Sequence, residues 1–329
     1  MLYIIRGICN AGVIRHKSYT RRTRQTPYAH KNMIRAHFYH NTEDALEGLT
    51  QQLFKHIKST RFIIDPYYSI DDLFYQGIFP HTEEVLFSLA IASGETSKQL
   101  FTHWRRRHLK NDIWRTINYY WLDENHAPFT SPENNFGEAY RRFFRHTKIN
   151  PHRIHPIRYD NTLEEEAKRY TSLLPSSRGL VYDPTRRYTK ERPCVTAYKS
   201  NFHCAILDID SNYHITSISP HKSAPCDSAK YNVTPHPASG EKRVTATMKI
   251  LQETPRIIVT LLGKEKAHII EDLYYGRNTH LPAIQLLLEH PNVHIFTDNR
   301  EMEITIYPNH QYVQTTPDDI KLRTPLDEL

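Results

Sequence analysis

Between Ile206 and Pro220 the sequence runs ILDIDSNYHITSISP. The apolar run Cys204-Ala205-Ile206-Leu207 reads as a buried strand. It gives way abruptly to Asp208, Asp210, Ser211 and Asn212, and then to His214. A strand that ends in small polar residues and presents a histidine holds a base at the lip of an α/β sheet. An imidazole titrates near neutrality, which suits it to take a proton from water. The chain has 21 histidines, so this one must be singled out by its neighbours.

Two further stretches carry chemistry. The apolar run Val85 to Ile91 leads into Ser93-Gly94-Glu95-Thr96-Ser97 and then a helical stretch, Lys98 to His108. A strand, a small-residue turn and a helix present free backbone N–H groups to an anion such as phosphate. The hydroxyls of Ser93, Thr96 and Ser97 fit that role, whereas a Glu95 carboxylate in the turn repels phosphate. The run Ile117 to Leu122 ends in Asp123-Glu124-Asn125, an acidic pair at the carboxyl end of a strand, where α/β proteins build sites. No metal site is expected. His146, His152 and His155 lack a carboxylate or cysteine arranged with them, and Pro291 keeps His290 and His294 off one helical turn. The four cysteines form no CxxC pair and read as reduced thiols.

The elements needed to position these residues recur in order. Ile34 to Tyr39 alternates like a short strand. Asn41 or Thr42 caps a helix with Ala45, Leu49, Leu53 and Ile57 on one face. Residues 59–82 break the rhythm and read as an insertion. Ser131 to Gly137 is a turn opening a helix from Glu138 to His146, and Ile154 to Ile157 is a short strand. Thr162 and Glu165 form a capping box for a helix from Leu163 to Leu174. Residues 175–199 read as surface covering. Arg243 to Met248 and Ile257 to Leu262 follow as strands, then helices from Lys266 to Tyr275 and Pro282 to Leu288, and a strand Val293 to Phe296. Alternating strands and helices predict a three-layer α/β/α fold with a mostly parallel, Rossmann-like sheet over residues 33–302.

The net charge of +7 is confined to one place. Residues 1–32 carry seven basic residues and no acid, so the other 297 residues hold 36 of each sign. That neutrality argues against a nucleic-acid partner. Residues 1–32 are expected to be a disordered accessory extension, and residues 303–329 an edge strand and tail. The arginines follow the short apolar start rather than preceding it, which makes a poor secretory signal. With a mean hydropathy of −0.64 and no long apolar run, a cytoplasmic protein without a membrane span is expected.

In this order the motifs resemble the 6-phosphogluconolactonase and glucosamine-6-phosphate isomerase/deaminase superfamily. Ala92 to Phe101 resembles its SGGSTPxxLF loop, Trp121 to Asn125 its WVDER strand end, and Ser131 to Gly137 its PxSNxG turn. His155-Pro156-Ile157 is similar to the lactonase HPI. Ile206 to Pro220 is similar to the LGMGxDGHTASLFP segment that carries the family's catalytic histidine. Arg243-Val244-Thr245 and Gly263 to Ala267 resemble the RIT strand and the GxxKA turn. Three features, WLDE, HPI and HITSISP, look more like the lactonase branch.

The departures are specific. Glu95 stands in a turn that is one residue short, and Asn125 replaces the arginine after the acidic pair. Asp208, Asp210 and Tyr213 replace glycines, and Asn212 replaces the family's aspartate. The resemblance implies hydrolysis of 6-phosphogluconolactone, a sugar phosphate of the pentose phosphate pathway, without a metal or organic cofactor and with His214 as general base. Asp208, Asp210 or Asn212 would orient it, with Asp123 nearby. The phosphate would lie on Ser93, Gly94, Thr96 and Ser97, with Asn125, Arg243 and Lys266 at the site. Two alternatives share the fold. One is an amino-sugar-phosphate isomerase/deaminase, which needs Asp123 as a carboxylate base. The other is a degenerate member that binds a sugar phosphate without turnover.

Overall fold

The computed structural model describes residues 2–6, 33–61, 86–175, 177–182, 195–218, 229–235 and 240–302. The strands, in chain order, are β1 (Leu2–Arg6), β2 (Met33–Phe38), β3 (Phe87–Ile91), β4 (Ile117–Trp121), β5 (Asp123–Asn125), β6 (Ile154–His155), β7 (Ser177–Tyr182), β8 (Val195–Ser200), β9 (Cys204–Asp208), β10 (Tyr231–Pro235), β11 (Lys242–Ala246), β12 (Ile257–Leu261) and β13 (Asn292–Thr297). The helices are α1 (Thr42–Arg61), α2 (Glu95–His108), α3 (Asn135–Arg142), α4 (Leu163–Leu173), α5 (Met248–Glu253), α6 (Ala267–Tyr275) and α7 (Pro282–Glu289).

Eight strands form the central sheet in the order β1-β2-β13-β12-β9-β3-β4-β6. All of its neighbours pair in parallel except β1, which runs antiparallel to β2. The central strands β3 and β12 are buried at every position, as strands covered on both faces must be. Helix α1 lays Ala45, Leu49, Leu53 and Ile57 into the core, all fully buried. Each of the three larger side chains contributes about 1.5–3 kcal/mol by leaving water. Asn41 supplies the cap, its Oδ1 accepting from the Asp44 backbone N–H at 2.9 Å. The capping box of α4 is present, with Thr162 and Glu165 bonded reciprocally.

The chain fills this sheet outward from β3, and the direction decides where the site lies. From β3 it moves to β4 and β6 on one side, then crosses back to β9 on the other side and continues to β12 and β13. The strand order therefore reverses between β3 and β9. The crevice outside the carboxyl ends at such a reversal is where open α/β sheets bind ligands. The turn after β3 and the histidine segment after β9 both open into it.

Several expectations are corrected. Leu2–Arg6 is not a disordered extension. It is a strand that covers the edge of β2, with Leu2 opposite His37 and Arg6 opposite Met33. Residues 175–199 do more than cover the surface, because Ser177–Tyr182 and Val195–Ser200 pair as an antiparallel hairpin. The strand holding Arg243 lies outside the parallel sheet, in a three-stranded antiparallel sheet ordered β10-β11-β5. Helix α2 starts at Glu95, three residues before the expected start, and α3 starts at Asn135. The expected insertion from residue 62 onward, residues 7–32 and the tail 303–329 lie outside the described residues.

Candidate active site

His214 stands on a tight turn directly after β9. The Asp210 carboxylate organises that turn. Its Oδ1 accepts the backbone N–H groups of Asn212 (2.8 Å) and His214 (2.9 Å), and its Oδ2 lies 2.7 Å from His214 Nδ1. Of the three residues expected to orient the imidazole, Asp210 does so. Asn212 is exposed at the tip of the turn and offers Asp210 only its backbone N–H in this cluster, so the expected orienting role does not fall to it. Among the described residues no group bonds His214 Nε2, and the side chain is 19% exposed.

Two residues of this segment adopt the left-handed backbone that glycine would take freely. Tyr213 has φ 65 and Thr216 has φ 53, a conformation that costs a β-branched residue most. Contacts from neighbouring elements hold it. The Tyr213 hydroxyl donates to Asp272 Oδ2 on α6, and Asn278 Nδ2 donates to the same oxygen at 2.7 Å. Burial, with Asp272 beside it, pushes the Tyr213 hydroxyl up to about 12. The His268 ring approaches the Ser211 carbonyl at 3.0 Å and packs edge-on to Tyr213. Thr245 Oγ1 donates to Thr216 Oγ1 at 3.2 Å, tying the segment to β11.

The turn after β3 is built differently from expectation. Gly94 takes φ 121 as the residue before α2, and an added Cβ there would approach Asp208 Oδ2 at 3.6 Å. The three hydroxyls expected to meet an anion all donate inward. Ser93 Oγ bonds Asp123 (2.6 Å), Thr96 Oγ1 bonds Asp208 (3.2 Å), and Ser97 Oγ bonds the Ala92 carbonyl (2.6 Å). The first helical bond of α2 comes from Lys98 N–H to the Gly94 carbonyl, which leaves the N–H groups of Glu95, Thr96 and Ser97 without helical acceptors. Glu95 does not block them, because its side chain is 71% exposed and pairs with Lys98 at 3.5 Å.

Two carboxylates hold the cations. Asp123 is fully buried and accepts from Ser93 N–H (2.9 Å), Ser93 Oγ and Arg243 Nη1 (3.0 Å). Asp208 Oδ1 accepts from Lys266 Nζ (2.8 Å), Thr260 Oγ1 (2.9 Å) and Thr96. Burial holds the Asp208 carboxyl above its ordinary range against the pull of Lys266. Asn125 donates from Nδ2 to the Glu133 carbonyl at 2.7 Å and pairs across the ladder with Arg243. Its neighbour Glu124 receives the N–H groups of Asn135 (2.7 Å) and Phe136 (2.9 Å) at the start of α3. Burial raises the Glu124 carboxyl to about 8 while those backbone donors pull it down.

Two buried polar atoms here make no hydrogen bond among the described residues, Arg243 Nε and Ser217 Oγ. Sequence reasoning passed over Ser217. It named Tyr213 as a large residue where the motif has glycine, but not its tether to Asp272. A separate recess of about 470 Å³, lined by Lys58, Asn111, Arg115 and Arg153, lies at the amino ends of the strands and holds none of these groups.

A family model described as glucosamine-6-phosphate isomerases/6-phosphogluconolactonase matches residues 80–295. The chain belongs to this family. It is 26% identical over 195 residues to the 6-phosphogluconolactonase of Haemophilus influenzae, covering 59% of this chain and 76% of that protein. It is 25% identical over 206 residues to that of Treponema pallidum, covering 61% and 77%. Among solved structures, the 6-phosphogluconolactonase from Trypanosoma brucei superposes with a TM-score of 0.58 at 17% identity, over 84% of this chain and 98% of that one. A monomeric glucosamine-6-phosphate deaminase superposes with a TM-score of 0.56 at 18% identity, over 82% and 99%. The glucosamine-6-phosphate isomerase/6-phosphogluconolactonase fold is thus shared with both activities, so the choice between them rests on the site. No helix of the described residues is long and apolar enough to cross a membrane.

Proposed function

We propose that this protein hydrolyses 6-phosphogluconolactone to 6-phosphogluconate, with His214 as the catalytic base and Asp210 as its orienting carboxylate. The observation that carries this reading is the 2.7 Å pairing of Asp210 Oδ2 with His214 Nδ1. It fixes a proton on Nδ1 and leaves the Nε2 lone pair facing outward.

In this mechanism Nε2 takes a proton from water as the water oxygen attacks the lactone carbonyl carbon. The tetrahedral intermediate collapses, the bond from the carbonyl carbon to the ring oxygen breaks, and the imidazolium returns its proton to that oxygen. The substrate's phosphate lies on the free N–H groups at the start of α2, with Arg243 Nε as a further donor. Asp123 acts as the anchor of Ser93 and Arg243. Its burial and three donors leave it unsuited to abstract a proton from carbon, which favours the lactonase over the deaminase reading. The domain spanning residues 33–302 would carry the whole reaction, and a cytoplasmic location fits a water-soluble phosphorylated substrate.

One observation favours a member of the family that binds without turnover. Asp208 stands where the motif has glycine and ties Lys266 into an ion pair, so that cation is less available to stabilise charge that develops on the reacting lactone. A rate assay separates the two. Lactone consumption above the spontaneous rate, lost in His214→Ala, supports hydrolysis. Ligand-induced thermal stabilisation without turnover supports binding alone.

A further inference from the structure

The far end of α2 holds a second cluster of chemically capable side chains. His103 Nε2 and His108 Nε2 both approach a single oxygen of Glu47 on α1, at 2.9 and 2.8 Å. The three donor atoms lie within 4.8 Å of one another. The other oxygen of Glu47 is fixed by Gln51 Nε2 at 2.7 Å, which turns Oε2 toward the histidines. One turn earlier on α1, Glu43 Oε1 lies 3.2 Å from His103 Nδ1. That contact lacks hydrogen-bond geometry, so Nδ1 is a buried polar atom without a bond, on a side chain only 1% exposed.

We propose that Glu47, His103 and His108 bind a divalent transition-metal ion of the zinc class, with Glu43 as the carboxylate behind His103. Two imidazole nitrogens and one carboxylate oxygen match zinc, whereas calcium and magnesium prefer all-oxygen shells. Ligand atoms around a tetrahedral zinc stand about 3.3 Å apart at its usual bond lengths of about 2.0–2.1 Å. The cluster reaches that spacing by side-chain shifts of under an ångström.

The tautomer of His103 supplies the second argument. A neutral imidazole carries one N–H. Placed on Nε2 to serve Glu47, it leaves the Nδ1 lone pair facing the Glu43 carboxylate. A cation on Nε2 moves the proton to Nδ1, where it donates to Glu43, the carboxylate–histidine–metal arrangement that fixes ring orientation. Glu47 and His108 are 33% and 14% exposed, so an ion has an entry path and room for a water ligand.

His108 lies twelve residues beyond Thr96, about 18 Å along the helix axis. The ion would take no part in reaction at His214. It would join α1 to α2 and stabilise the native state by binding it preferentially.

The test uses the full chain, stripped with a chelator and titrated with zinc chloride by calorimetry. One saturable equivalent and a zinc-dependent rise in Tm are expected. His108→Gln should weaken zinc by at least about tenfold while circular dichroism and the behaviour of His214 stay unchanged. Cobalt(II) should give a visible absorption band in the wild type, even if a variant fails to fold. His214→Ala should keep the full zinc stoichiometry, which separates this site from the reaction site. Absence of saturable uptake, or equal zinc affinity in wild type and His108→Gln, would overturn the proposal.

Discussion

Asp210 stands four residues ahead of His214 and holds both its backbone and its ring, accepting the N–H at 2.9 Å and pairing with Nδ1 at 2.7 Å. The family motif carries its aspartate two residues before the histidine, and this chain has Asn212 there. A carboxylate two positions earlier reaches the ring because the chain between them folds into a turn closed on Asp210 itself. Asp210→Asn should keep that turn and lose the charge behind the imidazole. A fall in kcat of about a hundredfold or more is expected, with KM little changed.

The turn depends on α6 as well. Tyr213→Phe removes the donor to Asp272 and leaves that carboxylate with one side-chain donor fewer. A stability loss of about 1–2 kcal/mol in urea unfolding is expected. Tyr213→Gly relieves the positive φ but releases the tether, so kcat should fall even if stability is recovered.

Arg243 is the cation whose Nε remains unsatisfied. Arg243→Lys keeps a charge for Asp123 and loses the forked donor set. The expected result is a rise in KM of about tenfold for a phosphorylated lactone, roughly one charge-assisted hydrogen bond. A lactone without phosphate should be affected far less.

Much of this fold is readable from periodicity. The buried strands around Ile206, Leu89 and Ile258 and the stripe Ala45-Leu49-Leu53-Ile57 are where alternation and spacing place them. The helix start at Glu95 was missed because Gly94, with its positive φ, terminates the strand turn sooner than the Ser-Thr-Ser composition suggests. Hydroxyl direction is also hidden in a sequence. Ser93, Thr96 and Ser97 look ready for an anion, yet Ser93 and Thr96 donate to carboxylates brought from elsewhere in the chain, Asp123 and Asp208, and Ser97 donates to the carbonyl of Ala92 in its own turn. Likewise the selection of Asp210, rather than Asp208 or Asn212, as the partner of the His214 ring emerges only once the turn closes.

Three histidines at the other edge of the sheet give a pH prediction. His37, His56 and His294 are buried together, and burial lowers them to about 3, 3 and 2. Unfolded histidine titrates near 6.5, so below that pH the unfolded chain binds protons the native one refuses. The stability these neutral rings confer is full above 6.5 and is lost as pH falls toward 3. The slope should be about 1.4 kcal/mol per pH unit for each ring. Urea midpoints at pH 7, 6 and 5 should fall progressively, and less steeply in His294→Gln.

Glu124 acts in the opposite direction. Its carboxyl is raised by burial to about 8, from an ordinary 4.5, so the native state holds a proton that the unfolded state releases. Its contribution is full below about 4.5 and declines as pH rises toward 8. The difference in Tm between wild type and Glu124→Gln should therefore change across that window and level off above it.

The proposed hydrolysis of a phosphorylated lactone by His214, poised by Asp210, is tested by the rate of 6-phosphogluconolactone decay with purified protein, with His214→Ala and with buffer alone. Acceleration by the wild type and a return to the buffer rate in the variant are expected. Decay at the buffer rate with the wild type, or equal acceleration by His214→Ala, would contradict it.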